Sequence, residues 1–351
     1  MSLIRCNDMN ELNNWAYAYG KPESSALLKD TPADFKVDEQ LGFELTGSGE
    51  HHFFLIEKKN LTTEMLVKEL AHTLNVAPKY ISYAGLKDRQ AITTQWLSVH
   101  LPGQEIAHAN GLKGNQWQVL TYKKHIKKLK IGTLLGNHFQ IILKNVSAPD
   151  ALAARLNLIK HQGVPNYFGE QRFGYLGQNM VKAKQLLQGD IKVKNPFLRG
   201  LYLSAARAFL FNHILSARIN AGNWQQAIPG DVLQLSGTHS IFAPLDIDET
   251  LRRRVSDLDI SPVASLWGKG ALRMTGQALE IQSNALAPYQ DWCAGLVKYH
   301  LEHAYRALVL PISTLEDSWL DETTLKLNFF LGRGSYATTV IRELVQSPIS
   351  A

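Results

Sequence analysis

Alternating apolar and polar positions predict the strands of this chain. Residues 95–101 alternate in this way, and the apolar members, which would share one buried face, are Leu97, Val99 and Leu101. The same period of two recurs over residues 139–143 and 325–331, and residues 52–58 and 232–235 are two further predicted strands. Alternation of this kind indicates strands that bury one face and leave the other accessible.

Apolar residues spaced three and four apart predict helices. The clearest example spans residues 62–74, where one face would carry Leu66, Leu70 and Leu74. Asn75 can terminate this helix, and Pro78 prevents its continuation. Three more helices are predicted, over residues 204–220, over residues 251–256 and after Ser335, which can serve as a cap.

A carboxylate lies between two cations just before the strand at 95–101. Asp88 is flanked by Lys87 and Arg89, and Gly85 precedes it by three residues, so we expect it on a turn that enters the strand. Nearby cations favour the ionised form of a carboxylate, which can then act as a nucleophile or an electrostatic stabiliser. The same cations would attract phosphate. A solvated turn with a surface ion pair is the alternative interpretation.

Composition narrows the class of protein. The chain has 351 residues, enough for two domains, and Lys and Arg exceed Asp and Glu by six, which favours a polyanionic partner. The two cysteines, Cys6 and Cys293, form no metal-ligand pattern and suit a reducing cytoplasm. Neighbouring His51 and His52 would point to opposite faces of a strand, which argues against a metal site. We also expect no secretory leader and no membrane span.

The most basic stretch of the chain covers residues 117–130. Tyr122, Ile126 and Leu129 are interleaved with its cations and suggest an anchored sheet edge. Two interpretations apply to these lysines, a solvated edge that blocks further strand pairing and a contact surface for an RNA backbone. The candidates for backbone contact here are Lys123, Lys124, Lys127 and Lys128.

Five segments resemble the TruD family of tRNA pseudouridine synthases. The first is AGLKDRQAITTQ at 84–95, which is similar to the active-site segment of that family. The others are KDTPADFKV at 29–37, GNHF at 136–139, PNYFGEQRFG at 165–174 and GSYAT at 334–338. Two of these strings, at 84–95 and 165–174, are long and unusual in composition, so chance agreement is a poor explanation.

The resemblance implies a role for individual residues. Asp88 would be the nucleophile, Phe35 and Tyr336 would contact the target nucleotide, Asn137 would bind the base and Phe139 would stack or line the pocket. Core packing remains the alternative for both phenylalanines.

Two cations of these motifs have alternatives of their own. Lys29 could bind the substrate by pairing with Asp88 or with phosphate, and Arg172 could bind phosphate or brace the site. With Lys87 and Arg89, Arg172 completes the set of candidate RNA-backbone contacts outside the basic stretch.

The resemblance also implies a fold and a reaction. The expected fold is α+β, with a mostly antiparallel mixed sheet flanked by helices in a discontinuous catalytic domain, 1–162 and 309–351. An inserted α/β domain, 163–308, would form the other wall of a cleft. The expected activity is isomerisation of uridine 13 in the D arm of tRNA by a cytoplasmic enzyme, a monomer that needs no cofactor and no metal.

Two rival functions are weighed against this one. A non-catalytic RNA-binding protein could keep the fold, although the intact Asp88 and its flanking cations argue against it. A metal-dependent nuclease would need several clustered acidic ligands, and a methyltransferase would need a glycine-rich cofactor loop after an early strand. The sequence contains neither pattern.

Overall fold

The computed structural model describes residues 14–312 and 314–346 of the chain. These residues divide into two compact units. The first unit comprises Glu23–Ala153, Ile312–Gly334 and the described residues after Leu344. The second unit comprises Ala154–Pro311, Ser335–Leu344 and the described residues up to Pro22. The domain boundaries given by the motifs, 1–162 and 309–351 around 163–308, stay a prediction.

Strands and helices are numbered here in chain order. The strands are β1 (Leu27–Leu28), β2 (Phe35–Leu41), β3 (His51–Lys59), β4 (Ile81–Tyr83), β5 (Ile92–His100), β6 (Trp117–His125), β7 (Leu134–Lys144), β8 (Val164–Pro165), β9 (Leu233–Leu235), β10 (Ile241–Phe242), β11 (Ile260–Leu266), β12 (Ala304–Ala307), β13 (Val309–Leu310), β14 (Glu316–Trp319) and β15 (Leu325–Gly332). The α-helices are α1 (Thr63–Thr73), α2 (Pro149–Gln162), α3 (Gln178–Gln188), α4 (Pro196–Asn220), α5 (Glu249–Ser256), α6 (Gly276–Leu286), α7 (Gln290–Lys298) and α8 (Ala337–Leu344).

A nine-stranded sheet organises the first unit. Its order is β14-β15-β7-β2-β5-β3-β6, with β1 beside β7 and β4 beside β5. Its pairings are antiparallel except for β2 with β5, which run parallel from Lys36 opposite Ile92 to Asp38 opposite Thr94. The expectation of a mostly antiparallel mixed sheet is therefore confirmed.

Helix α1 covers one face of this sheet. Thr62 caps it by accepting a hydrogen bond from the backbone N–H of Met65, and Asn75 beyond its end adopts a left-handed backbone, as its position after the stripe predicts. The stripe residues Leu66 and Leu70 are fully buried, and they pack in one cluster with apolar side chains of β3 and β5. Burial of each such leucine stabilises the fold by roughly 1.5–3 kcal/mol.

The second unit combines helices with a four-stranded sheet of order β10-β9-β11-β12. Its longest helix is α4, and the start predicted from the sequence, residue 204, is wrong. The helix begins at Pro196, because Asn195 accepts hydrogen bonds from the N–H groups of Phe197 and Leu198 and proline suits the first helical position. The early turns are exposed and carry Gly200, which disfavours a helix, although Phe197, Leu198 and Leu201 follow helical spacing.

Three further observations complete the fold. Cys293 is buried, whereas Cys6 lies outside the described residues. Among the helices described here, none combines the length and the apolar character needed to cross a bilayer. In the same residues, no cluster of three or more His, Cys, Asp or Glu side chains is placed to hold a metal ion.

Candidate active site

Asp88 lies on the connection from β4 to β5, four residues before the strand that the alternation predicts. Its side chain is 33% exposed, so the carboxylate is accessible while most of the residue is covered. Oδ2 of Asp88 accepts a hydrogen bond from Nζ of Lys29 at 2.9 Å. Because a charge-assisted hydrogen bond is strong, this pair fixes the direction of the carboxylate.

Lys29 is held in an uncommon conformation. Its backbone is left-handed, with φ of 59°, and its side chain is only 14% exposed. The ammonium lies 4.1 Å from the centre of the Phe35 ring, where a cation is attracted to the electrons of the ring face. The sequence left two partners open for Lys29, Asp88 and a phosphate. In the structure Lys29 pairs with the carboxylate of Asp88.

A second lysine holds the main chain of Asp88. Nζ of Lys58 donates to the backbone carbonyl oxygen of Asp88 at 2.8 Å, and Lys58 is fully buried. Burial lowers the pKa of Lys58 to about 8, although the nearby Asp88 carboxylate opposes that shift. Lys58 was not among the residues predicted from the sequence. The alternation of β3 could have indicated it, because Lys58 lies two and four residues after Ile56 and Phe54 and therefore on the same inward face of the strand.

Lys87 anchors the neighbouring residue and does not pair with Asp88. Its Nζ lies 2.5 Å from Oε2 of Glu39, and its backbone N–H donates to Oγ1 of Thr63 at 3.0 Å. The buried Glu39 also accepts from the N–H of Trp96 through Oε1 at 3.1 Å. Since the side chain of Lys87 is only 6% exposed, its position argues against the predicted contact with RNA phosphate. Glu39, another missed residue, lies on the inward face of β2.

The remaining cations of the first unit differ in accessibility. Arg89 is exposed next to Asp88, and the lysines of the basic stretch that are exposed are Lys123, Lys127, Lys128 and Lys130. Lys124 forms an ion pair with Glu105. Leu129 is buried and anchors the stretch as expected, but Ile126 is 59% exposed, so its predicted anchoring role is wrong. Strand β6 ends one edge of the sheet, and RNA contact along it stays a prediction.

Phe35 and Phe139 belong to a row of packed rings. Phe35 is 2% exposed and meets Phe139 edge-on, with ring centres 6.1 Å apart. Phe139 is 9% exposed and stacks on Phe329 of β15 with ring centres 5.5 Å apart. Both side chains therefore have the core packing that was their alternative interpretation. A nucleotide contact by either ring stays a prediction.

Asn137 carries an unused acceptor. It lies on β7 opposite Glu39 of β2, and its Oδ1 is buried without a hydrogen-bond partner within residues 14–312 and 314–346. An unsatisfied buried amide oxygen is costly unless a ligand completes it. The preceding Gly136 is required by space, because a Cβ there would lie 2.3 Å from the carbonyl oxygen of Leu331.

The second unit holds the other predicted residues together. Nε of Arg172 donates to the hydroxyl of Tyr336 at 2.9 Å, and Nη1 donates to Oγ of Ser204 at 3.2 Å. Gly169 lies against Tyr336 and Thr338, so a side chain at 169 would displace this arrangement. Arg172 thus braces Tyr336 at the start of α8, one of the two roles considered for it. The hydroxyl that distinguishes tyrosine from phenylalanine is used in this bond.

Comparisons with known proteins agree with the motifs. A family model described as "tRNA pseudouridine synthase D (TruD)" matches residues 11–194 and 179–344. A curated tRNA pseudouridine synthase D from Legionella pneumophila strain Lens is 47% identical over 334 residues, which cover 95% of this chain and 98% of that protein. The chain belongs to the tRNA pseudouridine synthase D family. A relative of the same name from Aeromonas hydrophila is 43% identical over 337 residues, 96% of this chain and 95% of its own length.

A solved structure supports the fold of this TruD family member. A crystal structure from Methanosarcina mazei that carries the name TruD superposes with a TM-score of 0.73, covering 96% of this chain and 98% of that chain. At 20% identity this similarity concerns the fold alone. Family and fold class are thereby confirmed, while the roles of individual residues remain predictions.

Proposed function

We propose that this chain is a tRNA pseudouridine synthase that isomerises uridine 13 in the D arm of tRNA. Membership of the tRNA pseudouridine synthase D family supports the reaction and the substrate class. The observation that carries the proposal is the accessibility of the Asp88 carboxylate together with the contacts that hold it in place. Its carboxylate is accessible, is paired with Lys29 and stands on a main chain fixed by Lys58. A nucleophile must be accessible to the substrate and must be held in a fixed orientation toward the reacting atom.

The reaction breaks one bond to the ribose and forms another. The N1–C1′ bond of the uridine is cleaved, the uracil turns, and C5 is joined to C1′. C5 then loses its proton to a base, while N1 gains one from the solvent. No electron is transferred to or from another molecule, and no group is donated. The protein must therefore supply a nucleophile, a binding site for the freed uracil and a proton acceptor.

Asp88 is proposed to make the covalent step. Attack on C1′ of the ribose would displace uracil, whereas attack on the ring would loosen the N1–C1′ bond from the base; both remain within this proposal. In either case the ammonium of Lys29 orients Oδ2, which leaves Oδ1 for the substrate. The buried ammonium of Lys58 holds the backbone carbonyl of Asp88, so that the backbone does not move away from the substrate as the new bond forms.

The target uridine must leave its helix to reach Asp88. Extrusion of a base costs a few kcal/mol, which contacts with the protein must offset. Oδ1 of Asn137 is suited to accept the N3–H of uracil, because it lacks another partner within the described residues. Tyr336 is proposed to offer its ring as a stacking surface, and Arg172 fixes that ring through the tyrosine hydroxyl.

The tRNA is proposed to be held mainly through its phosphates. Exposed Arg89 and the exposed lysines of the basic stretch supply positive charge in the first unit. Such contacts make affinity fall as salt rises, since each one releases condensed counterions. We expect the protein to act on tRNA as a monomer in the cytoplasm.

Incubation with an unmodified tRNA transcript, without added cofactor or metal, tests this function. Pseudouridine is mapped by carbodiimide treatment and primer extension. We expect one new stop, assigned to position 13, and no stop when a matched transcript carries cytidine there. Pseudouridine at another position would refute the site assignment. Binding of the transcript without any pseudouridine would instead indicate an RNA-binding protein.

A further inference from the structure

A cavity in the second unit has no role in the reaction described above. Its volume is about 150 Å³. Phe168, Leu203, Leu266 and Leu301 give it apolar walls, while Ser204 and Arg207 of helix α4 are the polar residues of its lining. We call it the Arg207 pocket. Apolar walls with a few placed polar groups are typical of ligand sites.

Arg207 has hydrogen-bonding capacity to spare. Its Nη2 donates to the carbonyl oxygens of Leu266 at 2.7 Å and of Glu302 at 2.8 Å, which fixes the guanidinium. Its Nε and Nη1 have no acceptor within the described part of the chain, and Nε is buried. Burial also lowers the pKa of Arg207. A partly desolvated cation with free donors favours a ligand that brings acceptor oxygens.

A second arginine adjoins the pocket. Arg172 donates to Ser204, which precedes Arg207 by three residues on α4 and so lies on the same face of the helix. Across residues 14–312 and 314–346, neither Arg172 nor Arg207 pairs with a carboxylate. The rim of the pocket therefore carries positive charge that no acidic side chain balances.

We propose that the Arg207 pocket binds an unpaired pyrimidine base of the tRNA, from a nucleotide that neighbours the target uridine. A cavity near 150 Å³ is large enough for one six-membered aromatic ring. The ring would pack on Phe168 and Leu203, and a pyrimidine carbonyl oxygen would accept from Arg207. A free phosphate would leave the apolar walls unmatched.

The position of Tyr336 relative to the Arg207 pocket indicates which nucleotide of the tRNA the pocket would bind. Arg172 joins the tyrosine hydroxyl to Ser204 on the pocket rim, at 2.9 and 3.2 Å. If Tyr336 stacks on the target base, as the proposed function on which this inference rests requires, then the pocket receives an adjacent nucleotide. It would select the sequence around the target uridine.

Gly200 offers a way to close the pocket without disturbing the fold. It lines the cavity, and a Cβ built there meets no atom within 4 Å. Glycine inside a helix is unfavourable, so replacement by alanine or leucine strengthens α4. Gly200→Leu is expected to obstruct the cavity with a branched side chain, whereas Gly200→Ala adds one methyl group and serves as its matched control.

The experiment measures the Kd of an unmodified tRNA transcript by fluorescence anisotropy. We expect Gly200→Leu to raise the Kd about tenfold, since stacking of one base accounts for a factor of that order. Gly200→Ala and Arg253→Gln, a change at an 82%-exposed arginine, are expected to stay within about twofold of the wild type. Melting temperatures verify that each variant is folded, and Arg207→Met is expected to weaken binding as Gly200→Leu does.

Equal Kd values for Gly200→Leu and Gly200→Ala would refute binding of a tRNA base in the Arg207 pocket, whether or not the wild type forms pseudouridine. Pseudouridine formation by the wild type decides the proposed function separately. A wild type that binds tRNA but forms no pseudouridine would refute the activity and leave the Kd comparison valid. A wild type that does not bind tRNA would overturn both.

Discussion

The ammonium of Lys58 lies 2.8 Å from the backbone carbonyl oxygen of Asp88, and the lysine side chain that carries it is wholly buried. A charge that is removed from water is costly unless it is paired. Here one partner is a carbonyl dipole and the Asp88 carboxylate is nearby. The buried cation thus ties the stability of the sheet to the position of the acidic residue.

Asp88→Asn is expected to abolish turnover while leaving the fold and tRNA binding intact. Asparagine keeps the shape of the side chain and can still accept from Lys29, but it is not a nucleophile. Loss of a covalent nucleophile reduces activity by at least roughly 10³-fold. Tritium release from tRNA labelled at C5 of uridine measures turnover, with Asp246→Asn at an exposed acid as control. Turnover above one tenth of the wild-type rate would remove Asp88 from this role.

Lys29→Met is expected to lower kcat about 10- to 100-fold, because it removes a charge-assisted hydrogen bond worth roughly 1.5–3 kcal/mol. The effect should fall on kcat, since Lys29 orients Oδ2 of Asp88. Lys21→Met, at an exposed lysine, is the matched control. Single-turnover rates at saturating enzyme separate the chemical step from binding. A change confined to KM would show that Lys29 serves the substrate and not the carboxylate.

Lys58→Met is expected to reduce kcat about tenfold with little change in KM, as a lost hydrogen bond of ordinary strength predicts. Lys59→Met is the control, because Lys59 is the next residue of β3 and is exposed. Equal kinetics for the two variants would refute a positioning role for Lys58.

The same variant changes the pH dependence of stability. The folded-state pKa of Lys58 is about 8, whereas its unfolded value is 10.5, so between these values the unfolded chain binds the extra proton. The wild type should therefore gain stability relative to Lys58→Met as pH rises from 8 to 10.5, by up to about 3 kcal/mol. Urea unfolding of both proteins across this range measures the difference. A constant difference would show that the lysine titrates normally.

Tyr336→Phe is expected to keep kcat/KM within about threefold, because the ring that stacks on a base is retained. Tyr336→Ala should reduce kcat/KM by roughly 5- to 150-fold, the range of one stacked base. The phenylalanine variant is thus the control for the alanine variant. A large loss in Tyr336→Phe would mean that the bond from Arg172 to the hydroxyl controls the position of the ring.

His213 predicts acid sensitivity in the second unit. It packs against Trp15, Phe209 and Tyr289, and burial lowers its pKa to about 4. Because the unfolded value is 6.5, the unfolded chain binds a proton first as pH falls. The wild type should lose up to about 3 kcal/mol between pH 6.5 and 4.

The measurement for His213 is the unfolding free energy across this pH range. His213→Gln removes the titrating group, so its stability should fall less steeply than that of the wild type. His72→Gln, at an exposed histidine of α1, should match the wild-type slope. Parallel curves for all three proteins would contradict the assignment.

Alternation and helical spacing sufficed for most elements of this fold. Strand β5 alternates in burial as its sequence predicts, except at Ser98, which is buried. Helix α1 ends next to its predicted terminator, Asn75. The start of α4 was missed because Gly200 in its early turns disfavours a helix. The signals there were Asn195 followed by Pro196, a cap with proline at the first helical position, and the helical spacing of Phe197, Leu198 and Leu201.

The site was predictable only in part. The motif around Asp88 identified the carboxylate, but the nearest cations in sequence were poor guides to its partners. Lys87 pairs with Glu39, while Lys29 and Lys58 reach Asp88 from distant strands or turns. Which side chains meet depends on strand order and register, and a parallel pair between β2 and β5 is not encoded in either strand alone.

Strand β15 pairs with β7 from Leu325 opposite Leu143 to Gly332 opposite Gly136. During synthesis, one side of β7 therefore stays unpaired until residues 145–324 have been translated. At typical elongation rates this takes roughly 10–40 s. Throughout that interval a nascent chain presents open backbone N–H and C=O groups, the kind of edge that recruits strands from other chains. Chaperone demand and misassembly during production should consequently concentrate in this window, before β15 leaves the ribosome.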